Sequence, residues 1–215
     1  MTALTLTQQC SAIKLYQGGM SAPMIAKHFL VSTDAIYYTL RHHNIPRRSP
    51  SMNSAIWFAA KPLSYELKKH LTYSEEQLKL AAIMLYWAEG YKVGKQTCVD
   101  FTNSDPDMLV VFLRFLREIC RVDSLRIRAA MYCYEDQNVI ALTQFWSELL
   151  SIPENQFTKP YVKKQVAPGR QGPRMIHGLV HIRYCDKKLL RQILNWIDEY
   201  RAECVGGRVV NYTTL

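Results

Sequence analysis

The chain contains no apolar run approaching the ~20 residues that span a bilayer, so a membrane-spanning protein is not expected. Met1–Gln9 has neither the basic nor the apolar region of a secretory leader, which points to a cytoplasmic location. The six cysteines (Cys10, Cys98, Cys120, Cys133, Cys185 and Cys204) form no Cys-x-x-Cys pair. Without zinc spacing they read as reduced thiols rather than as a disulfide or metal framework. A phosphate-cradling P-loop, a Gly-x-Ser-x-Gly elbow and an HNH-like metal cluster are also missing. His177 and His181 do not replace them: on a strand, side chains four residues apart lie about 13 Å from each other. Acid is scarce in two stretches. Residues 1–60 hold five Lys or Arg against one acid, and residues 153–183 hold six against one. The whole chain carries +9, with pI ≈ 9.3. This excess suits a polyanion, nucleic acid before anionic membrane.

Enough is present to build a core. The chain has 215 residues, 48% of them hydrophobic, and a mean hydropathy of −0.15. Three short helices are predicted first. One covers Thr7–Tyr16 and ends at Gly18-Gly19. Ser21 caps a second through Phe29, with Pro23 in its first turn. Ser32 caps a third that runs to Asn44 and stops at Ile45-Pro46. Residues 1–48 are read as one domain, 49–75 as a linker, 76–205 as the body and 206–215 as a tail. From Glu76 the order is helix, strand, helix, strand, helix, strand, helix, with a candidate hairpin strand near Tyr91–Lys95. That is an α+β fold with one sheet covered by helices on one face.

Apolar residues at Ile25, Ala26, Val31, Ile36, Leu40 and Ile45 sit where two steeply crossing helices meet. They leave Thr33, Asp34, Tyr38, Arg41 and His42 outward on the third helix, the side-chain types that base edges and phosphates require. Met20–Leu40 resembles the helix-turn-helix of resolvases and invertases. Arg47 and Arg48 follow as a candidate minor-groove arm.

The stretch Ala82-Ile-Met-Leu-Tyr-Trp-Ala-Glu-Gly90 resembles the motif of LAGLIDADG homing endonucleases, and the elements after it resemble that family's αββαββα saddle. By that resemblance Glu89 is the metal-ligand and catalytic acid position and Gly90 the turn residue of the metal site. Asp100 is a secondary acid, and Lys92 or Arg183 polarises the phosphate. Mg²⁺ is the implied cofactor, because oxygen ligands suit it and it activates water. Met84 and Trp87 depart from the family pattern. A single motif implies a homodimer through the Leu78–Glu89 helix, with two Glu89 carboxylates near the axis.

Strand parity gives a second argument. Val99 and Phe101, Leu125 and Ile127, and Val180 and Ile182 are expected to face helices. Asp100 and Thr102, Arg126 and Arg128, and His181 and Arg183 are then left on an open, mostly basic face. Lys163, Lys164, Arg170 and Arg174 belong to a glycine-containing loop that can grip a phosphate backbone. The expected function is sequence-specific binding of double-stranded DNA with metal-dependent phosphodiester hydrolysis. The alternatives are a non-cleaving regulator of the WhiA-like type and an RNA splicing maturase.

Overall fold

The computed structural model describes residues 4–92, 94, 96–164 and 175–205. The chain divides into two compact units, Met1–Pro62 and Leu63–Leu215. Among the described residues no helix is long and apolar enough to cross a membrane.

The first unit holds helices α1 (Leu6–Gln17), α2 (Ala22–Phe29), α3 (Thr33–His42) and α4 (Pro50–Ala60). The caps are the expected ones: the hydroxyl of Ser21 accepts from Met24 N and that of Ser32 from Ala35 N. Between α2 and α3 the chain turns on Leu30, whose φ of 55° is left-handed. Ala12, Tyr16, Ile25, Ala26, Ile36 and Leu40 close a small core.

The stretch expected to be a linker contains helix α4 and the start of α5. Ser49 caps α4 through Met52 N, and Pro50 stands at the first helical position, where its missing N–H costs nothing. Residues beyond Pro62 join the second unit. Glu66 N and Lys68 N donate to the carbonyls of Cys120 and Ile119, and Tyr65, Leu67 and Leu71 pack on the core. Serine and proline here punctuate a helix start rather than a flexible joint.

The second unit is α+β. It contains α5 (Tyr73–Glu89), β1 (Val99–Asn103), α6 (Pro106–Arg114), β2 (Arg128–Tyr134), α7 (Val139–Leu150), β3 (Tyr161–Lys163), β4 (Leu179–Tyr184) and α8 (Lys187–Val205). A π-helical turn at Phe115–Ile119 extends α6. The sheet order is β1-β4-β2-β3, with β4 antiparallel to both β1 and β2 and β3 parallel to β2. The candidate hairpin strand at Tyr91–Lys95 lies partly outside the described residues; beside it Gly90 bridges to Phe101, which places Tyr91 N on Asp100 O at 2.9 Å. Val99, Phe101, Ala129, Met131, Cys133, Val180, Ile182 and Tyr184 share a core with Tyr86, Phe112, Trp146, Leu189 and Ile193 from the four helices.

Two expectations are corrected. The second strand begins at Arg128, not at Leu125. Residues Ser124–Arg126 form a 3-10 turn that leaves Leu125 75% exposed, because Asp123 accepts from Leu125 N and starts the turn. The cysteines are not all reduced. Cys98 and Cys185 lie one register position beyond the Val99–Tyr184 pair and are joined by a disulfide.

Candidate nucleic-acid interface

Helix α3 presents its apolar side, Ile36 and Leu40, to the core at 0% and 1% exposure, and its other side to solvent. Asp34, Tyr38, Arg41 and His42 are exposed there, and Thr33 is half-buried at the first turn. The Tyr38 and His42 rings stack with centroids 6.0 Å apart. Arg47 lies over the ring of Tyr37 at 4.0 Å and stays exposed. Arg48, expected beside it on a DNA-binding arm, is turned inward instead. Its guanidinium donates to Gly19 O at 3.0 Å and Met20 O at 2.5 Å and covers the Tyr16 ring. Its backbone N–H donates to the Tyr16 hydroxyl. Arg48 therefore fastens the segment after α3 to the α1–α2 turn.

The sheet supplies the second surface. Strand register puts Asp100, Arg183 and Arg128 in one row and Thr102, His181 and Ala130 in the next, all on the face without helices. Asp100, 7% exposed, is held from two sides, by Arg183 Nε at 2.8 Å and His181 Nδ1 at 2.9 Å. The Thr102 hydroxyl lies 2.7 Å from the same nitrogen. Asp100 thus serves as a buried anchor that orients a histidine and an arginine. Burial raises its pKa, but the His181 and Arg183 hydrogen bonds outweigh that and hold it below the usual carboxylate value.

A depressed folded-state pKa contributes stability that is present above the unfolded value of about 3.9 and is lost as pH falls through the folded one. Acid unfolding of the wild type should therefore steepen below about pH 4. Asp100→Asn should flatten that limb in denaturant titrations at stepped pH, and an unchanged profile would remove Asp100 from the account.

Arg128 is exposed and opposes Arg183 directly. Like charges across a strand pair are unfavourable; an anion on this face would relieve the repulsion. Arg128 is steadied by the carbonyls of Leu125 and Ile127 at 2.7 and 2.8 Å. Arg126 does not join it. The 3-10 turn redirects it to Cys185 O at 2.9 Å and over the Tyr184 ring, away from the basic face. Lys163 and Lys164 are exposed at the end of β3, whereas Arg170 and Arg174 lie outside the described residues.

The motif helix ends with Glu89 exposed and Gly90 buried. Glu89 has no hydrogen-bond or ion-pair partner among the described residues. Lys92 does not stand free to polarise a phosphate: its ammonium donates to Trp87 O and Gly90 O at 2.8 Å each and caps α5. Burial lowers its pKa, with Glu89 opposing the shift. Gly90 has an ordinary φ of −72°. It must be glycine for space, since a Cβ there would lie 2.5 Å from both the Tyr86 carbonyl oxygen and its ring.

No family model, curated protein or solved structure matches the chain. The metal expectation is therefore judged on donor chemistry alone. Glu89 offers the oxygen Mg²⁺ prefers. The other oxygens that the resemblance assigns are engaged, Gly90 O by Lys92 and Asp100 by His181 and Arg183. Among the described residues no three His, Cys, Asp or Glu side chains converge.

Sequence reasoning missed Tyr132, Tyr134 and Tyr161 on the open face. Arg128 carried the signal for the first two, because extending its parity along β2 reaches both. Tyr161 required the parallel pairing of β3 with β2, which no local pattern announces.

Proposed function

We propose that this chain binds double-stranded DNA, with α3 of the first unit in the major groove and the basic sheet face of the second unit as a further contact to phosphate backbone. The observation that carries the reading is the exposed side of α3. Asp34, Tyr38, Arg41 and His42 project from a short, firmly seated helix whose opposite side is core. A rigid helix with polar and basic side chains and a polar N-terminal turn is the geometry that reads base edges. Support from the second unit comes from the opposed pair Arg128 and Arg183 and from Lys163 and Lys164. The test is selection from a random duplex pool, followed by titration between about 50 and 200 mM salt. One enriched sequence and steep weakening with salt are expected. No enrichment and no salt dependence would sink the reading.

Cleavage is a second reading, favoured by the exposed Glu89 carboxylate at the end of α5. Ala81 and Ala88, two turns apart and both exposed, offer a surface on which a twin helix can approach closely. Two Glu89 side chains across a two-fold would then provide the paired acids. Mg²⁺ held there would activate water and neutralise the leaving oxygen. Incubating the selected duplex with Mg²⁺ or Mn²⁺ separates the readings. Cutting by the wild type but not by Glu89→Gln supports the homodimeric nuclease. Tight binding without cutting by either protein supports a non-cleaving regulator.

A further inference from the structure

The open sheet face carries a feature that duplex binding does not use. Tyr132 on β2 stands beside Tyr161 on β3, their ring centroids 5.3 Å apart, and beside His181 on β4 at 5.0 Å. The three rings make one continuous row across three strands. Tyr161 is 59% exposed, although it sits at the sheet edge where a polar side chain would serve solubility better. Tyr134 continues β2 on the same face, opposite Lys163. Positive charge brackets the row, with Arg128 and Arg183 on one side and Lys163 on the other.

Duplex DNA shows a protein the edges of its bases, and the faces are hidden in the stack. Aromatic rings laid side by side on a sheet find no stacking partner there. An unpaired strand is different, because each base offers a face to a ring while the phosphates run past flanking cations. Strands lie about 4.8 Å apart, so neighbouring rings can each take one base of a single extended strand.

We propose that the Tyr132–Tyr161–His181 row binds an unpaired strand of DNA by base stacking, with Arg128, Arg183 and Lys163 holding its phosphates. Only the choice of DNA rests on the duplex-binding reading. The aromatic row is an independent observation. A protein built this way grips a duplex through α3 and the cations of the sheet, and stacks an opened or overhanging strand on the rings.

The test compares fluorescence-anisotropy binding of a thymidine homopolymer of about sixteen nucleotides, to cover one platform's site size, the matching uridine homopolymer, and the duplex recovered by selection. 2-Aminopurine placed in the DNA strand reports stacking. The full chain should bind the DNA single strand with 2-aminopurine quenching. Tyr161→Ala, at an exposed edge position, should weaken that binding about ten- to a hundredfold while duplex affinity stays within about twofold. Tyr132→Phe should bind like the wild type, because the ring and not the hydroxyl stacks. Equal loss of single-strand and duplex binding in Tyr161→Ala would overturn the proposal in favour of groove contact, leaving the duplex reading intact. Absence of single-strand binding beside strong duplex binding would overturn it too. Tighter binding of the uridine strand would overturn the assignment to DNA. Failure to bind any of the three would remove both readings together.

Discussion

Replacing Tyr38 and Arg41 together by alanine should lower affinity for the selected duplex by ~100-fold or more, each base-edge contact being worth about 1–3 kcal/mol. Both side chains lie on the solvent side of α3, Tyr38 at 65% exposure, and no described core residue rests on them. Unfolding midpoints should move little, since exposed substitutions away from caps and cores stay within about 0.5 kcal/mol. Loss of Arg41 should also reduce the salt slope by roughly one if it meets a phosphate, or relax preference at one base position if it meets a guanine. Anisotropy titrations at several salt concentrations, paired with denaturant melts, read both. Ile36→Ala is the contrast. Ile36 is fully buried, so its truncation should cost about 2–5 kcal/mol and weaken binding only through unfolding. If the Tyr38 and Arg41 variant binds as the wild type does, α3 is not the reading element.

The second large effect concerns stability. Gly90→Ala should destabilise the second unit by about 1–3 kcal/mol, the range for forcing extra carbon into a filled space. The obstacle is mainly backbone: the added Cβ would fall 2.5 Å from the Tyr86 carbonyl oxygen, which cannot swing aside as a side-chain tip can. Tyr86 is itself fixed, fully buried, stacked on Phe112 at 5.6 Å and donating its hydroxyl to Tyr91 O at 3.1 Å. Burial pushes that hydroxyl's pKa up to about 12, so it stays a donor through the neutral range. Ala88→Ser, two residues earlier and exposed, should change stability by less than about 0.5 kcal/mol. Urea melts of the three proteins settle the matter, and a Gly90→Ala midpoint equal to the wild type would show that α5 shifts freely. The consequence for function is direct. Glycine at position 90 is required here by the packing of Tyr86 whether or not a metal ever binds, so the glycine by itself does not speak for cleavage.

The case of Asp100 shows how strand parity can place a residue without revealing its partners. Its parity placed it on the open face, and it lies there. Its surroundings were decided by residues 81 and 83 positions away, His181 and Arg183, which each contact one carboxylate oxygen. Lys92 and Arg48 repeat the lesson. Each is a basic residue in a polar stretch, and each spends its donors on backbone carbonyls that a helix end or a turn leaves unpaired. Residues 49–75, expected as a linker, include helix α4 for a different reason. Serine followed by proline reads equally as linker or as helix start, and only the N–H that Ser49 caps decides between them.

From the sequence alone came the caps at Ser21 and Ser32, the inward and outward sides of α3, the alternation of β1 and β4 and, β3 apart, the order of the regular elements in the second unit. These are local or periodic properties, set by a side chain and its neighbours within a few residues. Tertiary structure alone decided which basic groups remain available, that Cys98 meets Cys185, and that three rings from separate strands form one row. Each of these depends on residues far apart in the chain being brought within a few ångströms, and strand register, which no single segment encodes, is what brings them there.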